Sequence, residues 1–273
     1  MPICIECRYP VQQLYTVYSK ADDRALGKGV RLTQCPRCKR FADKYVEHDF
    51  VVLFIDLVLI KPQVYRHLLF NRLGREDDRL DPTIIRLGIL LLLFDVYLTW
   101  ARVEKQEPPE DSSSIAPSLL AQKPIVVQYL YFLFLCLTES LTFHLTIRLL
   151  ARFLLHYPRP NSVSTALLVS SCTKLFPVLM VIWEYDIPAA AKAVGWAVVL
   201  NNVEALNILL GCGYLKAGFL AGLGALTRLA ASTAVMKVMG LEVGTTGAHI
   251  GDLRTLWSWA RKWVDAILLH KSL

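Results

Sequence analysis

The sequence predicts a mainly α, polytopic helical membrane protein with a small cysteine-bearing module at its N-terminus. Three observations carry this. Hydrophobic residues make up 54% of the 273 and charged residues 19%, against about 45–50% and about 25% in ordinary soluble domains. After Pro82 the apolar residues gather into runs long enough for a bilayer core of about 30 Å, which takes roughly 20 helical residues. Residues 1–49, by contrast, are polar and hold four of the seven cysteines. The formal charge of +7 suits nucleic acid and an anionic membrane face equally, and by itself selects neither.

The first 49 residues read as a module of their own. Cys4-Ile-Glu-Cys7 and Cys35-Pro-Arg-Cys38 are two C-x-x-C pairs with 27 residues between them. Each pair sets two sulfurs on one tight turn, and two such knuckles facing one another offer four thiolates in a tetrahedron. Doubled pairs at this spacing point to a structural zinc site of the zinc-ribbon type far more specifically than one pair does; the competing readings are coincidence and a redox pair. Gly27, Gly29 and the charged stretch 20–31 fit a hairpin tip between the knuckles. A four-cysteine site is closed to substrate and to activated water, which argues for fold stabilisation and against zinc hydrolysis. Cys136, Cys172 and Cys212 fall in apolar segments and read as packing residues. Arg37, Lys39 and Arg40 form one small basic cluster, too little for groove binding, so no nucleic-acid partner is expected.

Residues 50–82 read as a membrane-proximal segment. The apolar run 51–60 is too short to span, with Asp56 inside it, and reads as buried or interfacial. Pro62 suits the first turn of a following helix. There Val64, Leu68 and Leu69 would meet apolar surroundings, while Arg66, Asn71 and Arg72 would lie in the headgroup zone. His67 reads as a hydrogen-bonded structural histidine whose partner spacing does not name.

Together, the two cysteine pairs, Asp43-Lys-Tyr-Val46, and Asp56, Lys61, Tyr65-Arg66-His67 and Asn71 resemble the homology domain of the Arv family. The likeness covers about the first 75 residues. It implies that Cys4, Cys7, Cys35 and Cys38 hold the metal and that Asp56, Lys61, Tyr65, Arg66, His67 and Asn71 form the family signature. It further implies a membrane protein of the endoplasmic reticulum, extending to the Golgi, that acts in sterol movement and homeostasis. Effects on sphingolipids and on glycosylphosphatidylinositol (GPI) intermediates are also implied. No catalytic mechanism accompanies it.

The segment 83–250 reads as the transmembrane domain. Its candidate spans are 83–102, 125–147, 163–183 and the weaker 189–210, which holds Asn201, Asn202, Glu204 and Asn207. A fifth candidate, 217–238, is Gly/Ala-rich, is interrupted by Arg228, and reads equally as a re-entrant or surface helix. Pro108, Pro109, Pro117 and Ser112 to Ser114 mark 104–123 as a solvated loop. Lysine and arginine are rich in 61–82 and 148–162 and sparse in 184–192, so the alternation places the N-terminus in the cytosol. No signal peptide is expected, because Cys4 and Glu6 stand where its first regions would be. In the tail 251–273, Arg254, Ser258, Arg261, Lys262 and Asp265 share one arc and three tryptophans lie on the rest. That pattern fits a helix in the headgroup layer or one packed on the membrane domain.

Glu139, His144, Lys174 and Glu204 fall inside candidate spans. Ionisable groups at membrane depth cost on the order of 2.5–3.5 kcal/mol each and should turn inward and pair. Lys174 with Glu139 or Glu204 is the natural pair. Such a cluster serves either as a polar pocket for a lipid headgroup or as glue between helices. No hydrolase, metalloprotease or nucleotide-binding motif is present. The residues agree with a lipid-handling protein, and the resemblance implies that its partners are membrane lipids, sterols and GPI intermediates among them. The alternative is a scaffold docked on a membrane biosynthetic enzyme, and an enzyme is the least favoured class.

Overall fold

The computed structural model describes residues 1–18, 29–74, 78–105, 124–176 and 188–238. A short hairpin, β1 (Tyr15–Tyr18) and β2 (Gly29–Leu32), pairs antiparallel with Tyr15 opposite Leu32. Its tip, with most of the stretch 20–31, lies outside the described residues, as do nearly all of the 104–123 loop and the whole of the 251–273 tail. The helices are α1 (Phe50–Val58), α2 (Pro62–Arg66), α3 (Pro82–Lys105), α4 (Ile125–Leu155), α5 (Pro160–Ser170), α6 (Pro188–Leu210) and α7 (Tyr214–Val238). The described chain is thus mainly α, as predicted.

It forms two compact units. The first joins Met1–Gly88 with Ile147–Ala221. Here α5 packs along α6, and α1 and α2 pack on α6 as well. The buried core includes Ile5, Tyr45, Val64, Tyr65, Val163, Leu167 and Leu206. The start of α5 is capped from far away in sequence: the Asp78 carboxylate accepts the backbone N–H groups of Asn161 at 3.1 Å and Ser162 at 2.9 Å. A carboxylate there satisfies two donors that a helix leaves open and meets the positive end of its dipole. At the far end of α6, Gly211 has φ +60° and donates its N–H to the Asn207 carbonyl at 2.9 Å. That is a left-handed C-terminal cap, which glycine adopts without strain.

The second unit joins Ile89–Thr146 with the chain from Gly222. Its core sets Val96 of α3 against Tyr131, Phe132, Leu135 and Cys136 of α4, with Val235 of α7 packed on them. Trp100 stacks on Tyr129 with ring centres 5.3 Å apart.

Among the described residues three helices are long and apolar enough to cross a membrane: Pro82–Ala101, Ile125–Leu155 and Tyr214–Val238. Their outward faces are apolar, with Leu90 and Leu93 on α3, Leu130, Phe134 and Leu141 on α4, and Phe219 and Leu226 on α7. The first two match the expected spans 83–102 and 125–147. The candidate 163–183 is not one helix over its described part: α5 ends at Ser170 and tightens into a 3-10 helix, Ser171–Leu175, and 177–187 lie outside the described residues. Ser170 marks the break, because its hydroxyl bonds back to the Leu167 carbonyl at 3.0 Å and outward to Asn202. The candidate 189–210 coincides with α6, and its Asn201 and Asn202 are buried in protein. The fifth candidate, judged the most doubtful by composition, is a continuous helix long enough to span, because Arg228 is matched by an internal partner.

Candidate metal centre and the signature network

The two cysteine pairs form matching knuckles. In the first, Cys4 N–H donates to the Tyr9 carbonyl at 2.8 Å and Arg8 N–H to the Cys4 carbonyl at 2.9 Å. In the second, Cys35 N–H donates to the Arg40 carbonyl at 2.8 Å and Lys39 N–H to the Cys35 carbonyl at 3.0 Å. The residue after each second cysteine is left-handed, with φ 61° at Arg8 and 59° at Lys39. A side-chain-bearing residue rarely adopts this region, and it does so here because the turn must bring two sulfurs to one side. The knuckles are tied together where Ile5 N–H donates to the Ala42 carbonyl at 2.9 Å.

The four sulfurs of Cys4, Cys7, Cys35 and Cys38 lie within 4.8 Å of one another, and all four thiols are free. Cys4 and Cys38 sulfurs are 3.7 Å apart, and Cys7 and Cys35 sulfurs 3.5 Å. Zn–S bonds of about 2.3 Å in a tetrahedron require sulfurs about 3.8 Å apart, so the donor set and its spacing fit a closed structural zinc site. Burial pushes the Cys4 thiol up to about 12. Burial also acts on Cys35, but the backbone N–H groups of Cys38 and Arg37 outweigh it and bring that thiol down to about 7.

The signature residues dock this module. Asn71 pairs with the backbone of Ile3 like a strand, its Oδ1 accepting the N–H at 2.8 Å and its Nδ2 donating to the carbonyl at 3.0 Å. The same Nδ2 reaches the Asp43 carboxylate at 2.6 Å. Arg66 donates to the carbonyls of Ile5 at 2.6 Å and Glu6 at 3.0 Å, both inside the first knuckle. The expectation that Arg66 and Asn71 face headgroups is therefore corrected: both turn to the knuckle, whose turn leaves backbone groups open. His67, on the π-helical turn His67–Arg72 that prolongs α2, donates from Nδ1 to Asp43 at 2.7 Å. Its Nε2 and the Nε of Arg66 are buried without a hydrogen-bond partner. Val64 and Leu69 are buried as expected.

A second group surrounds Asp56. It accepts the Tyr45 hydroxyl at 2.7 Å and the Lys61 ammonium at 2.6 Å. Burial alone would raise its carboxyl, but the bonds from Lys61 and Tyr45 outweigh burial and hold it below the usual range. Burial, with Asp56 alongside, raises the Tyr45 phenol. Tyr65, whose phenol burial also raises, donates its hydroxyl to Asn201 of α6, and Asn201 donates on to Thr173 at 2.8 Å. The signature thus connects the cysteine module at one end to α6 at the other.

Among the four intramembrane residues, Glu139 has a partner that the sequence did not name. Glu139 is partnered by Arg228, which donates to one carboxylate oxygen from Nε at 2.9 Å and from Nη2 at 2.8 Å. Arg228 is thus a partner of Glu139 that the expected pairing of Lys174 with Glu139 or Glu204 did not include. Glu139, like His144, which lies edge-on to Phe143, belongs to the second unit, whereas Lys174 and Glu204 belong to the first. Glu204 is buried on α6 and faces the Tyr214 hydroxyl. Sequence reasoning did not single out Asp43, Asn201 or Thr173 for this network, nor Arg228 as a partner. Asp43 carried a signal, standing two residues before Tyr45 in the stretch quoted for the resemblance.

A module of four cysteines spaced as metal ligands, joined by polar signature residues to α6, in a chain with three helices able to cross a membrane, defines a class: helical membrane proteins with a four-cysteine head. The chain belongs to the Arv1-like family, whose model matches residues 3–206. The match extends well past the 75 residues on which the sequence resemblance rested. Protein arv1 of Schizosaccharomyces pombe is 39% identical over 240 residues, covering 88% of this chain and 87% of its own. Protein ARV1 of Saccharomyces cerevisiae is 31% identical, covering 78% and 83%. Protein ARV1 of Homo sapiens is 27% identical, covering 89% and 84%. No solved structure matches the chain.

Proposed function

We propose that this protein mediates sterol homeostasis in the endoplasmic reticulum membrane, with a pool reaching the Golgi, by taking part in the movement and distribution of sterols. Effects on sphingolipid metabolism and on GPI-precursor handling belong to the same reading. The N-terminal module lies in the cytosol, holds one structural zinc ion, and performs no catalysis. What carries the proposal is membership of the Arv1-like family together with a signature that serves as a mount. Every signature residue named above binds backbone or another side chain of the chain itself, as expected of architecture rather than of a reaction centre. Its partners are membrane lipids, sterols and GPI intermediates, with no nucleic acid among them.

Purified protein in liposomes tests this. Transfer of sterol or of a GPI precursor above protein-free vesicles is the expected result. Absence of transfer, with co-purification of a biosynthetic enzyme that is lost on Cys35→Ser, would replace it with the scaffold reading.

A further inference from the structure

Helix α1 is inside out for a helix in water. Of its nine residues, Phe-Val-Val-Leu-Phe-Ile-Asp-Leu-Val, one is charged, and that residue is buried. Asp56 is 7% exposed and points inward with Leu53 and Leu57, each 3% exposed. The outward residues are Phe50, Val51, Ile55 and, just past the end, Leu59, at 75, 65, 50 and 61%. At 100° per residue Val51, Val52, Val58, Ile55 and Leu59 occupy one continuous arc. An apolar arc left in water costs about 25 cal/mol per Å² relative to burial, so a chain retaining it has a cover for it. The helix is far too short to span.

The cover follows from the surroundings. α1 packs on α6, and the same unit exposes Trp196, Val199 and Leu200 of that helix. Tryptophan among exposed aliphatic residues is characteristic of the bilayer boundary. At the C-terminal end of α1 stands Lys61, with a half-exposed side chain whose ammonium neutralises Asp56 from the solvent side. A lysine in that place serves a helix lying flat at the headgroup level, with its stem along apolar surface and its charge in the polar layer. We propose that α1 is an interfacial helix, its Val51, Ile55 and Leu59 face inserted in the outer acyl layer of the bilayer. The Asp56–Lys61–Tyr45 group makes this insertion tolerable by turning the one charged residue of the helix toward protein.

Photo-crosslinking tests it on the full chain. A benzophenone side chain is placed singly at Val51 or Ile55, with Leu141 on the outer face of α4 and Gln12 on the exposed side of the cysteine module as references. The protein is reconstituted into phosphatidylcholine vesicles with a minor share of phosphatidylserine, and adducts are read by mass spectrometry. Val51 and Ile55 are expected to form lipid adducts in a yield similar to Leu141 and about tenfold or more above Gln12. Yields at the Gln12 level would overturn the proposal, as would adducts to a second copy of the chain in place of lipid. Each variant is also digested with trypsin beside the unsubstituted protein. An unchanged fragment pattern ties a low yield to the position of the helix, and a changed pattern calls for the probe at Val52 on the same arc, read by the same criterion.

Discussion

Asn71 makes three hydrogen bonds with one amide, and each is non-local. Its removal leaves both backbone groups of Ile3 without this partner, at about 1–3 kcal/mol per abandoned group, and leaves Asp43 Oδ2 with His67 alone of the two donors. Asn71→Ala should therefore lower the melting temperature measured in detergent. Asn71→Asp should lower it at least as far, because it keeps the acceptor for Ile3 N–H but sets a second carboxylate against Asp43. A milder effect for Asn71→Asp would show that the Asp43 contact is unimportant. Asp56 gives a pH signature. Its folded pKa lies below the unfolded value of about 3.9. The stability it supplies is complete above that value and is lost as pH falls through the folded value. Lys61→Met removes the strongest opponent of burial, so it should move the acid-unfolding midpoint upward, as followed by near-UV circular dichroism. The cysteine ligands were legible because a C-x-x-C turn is a local object. The partners of Asn71, Arg66 and Tyr65 were not, since they stand 68, 61 and 136 residues away and nothing in local spacing encodes them.

At the scale of elements, the two long helices α3 and α4 were legible because their apolar runs 87–94 and 125–138 hold no charged residue. α7 was underrated because its Gly/Ala content and Arg228 weaken the apolar signal, and hydropathy cannot register a guanidinium that is already paired. The same pair gives a test. Arg228→Met alone leaves the Glu139 carboxylate buried without its partner, a loss on the order of 3–5 kcal/mol for a broken buried pair. The double variant Glu139→Gln with Arg228→Met removes both charges and should recover most of that loss in thermal melts in detergent. Equal instability of the single and double variants would mean that the two side chains act independently. α5 followed a different rule. The expected span continues past Ser170, but there the Ser170 and Thr173 hydroxyls bond backbone carbonyls, Asn202 holds Ser170 from α6, and the α-helix ends.

At the scale of the molecule, the cysteine head and the helices α2 and α6 form one connected structure, so a metal bound at the four cysteines should stabilise more than its own turns. Binding free energy in a four-cysteine site is folding free energy. A chelator should strip the metal and lower the melting temperature, and tryptic cleavage should then appear at Arg66 and Arg72, well outside the ribbon. Metal content by mass spectrometry should be one zinc per chain before treatment. Loss of metal without new cleavage at those arginines would show that the head is mounted independently of its metal. Met1–Gly88 falls within one unit, and across residue 49, where the composition changes, Asn71 and Arg66 reach back to the first knuckle.

The bond from Tyr65 to Asn201 carries a consequence for biogenesis. Its two ends are 136 residues apart. At about 5–20 residues per second, the ribosome reaches Asn201 roughly 7–27 s after Tyr65. Throughout that interval the head can fold and gather its four cysteines, but the phenol that belongs against α6 lacks its Asn201 partner. Final seating of the head is therefore among the last events of assembly, and a nascent chain stalled before α6 should present a finished ribbon with its base still open.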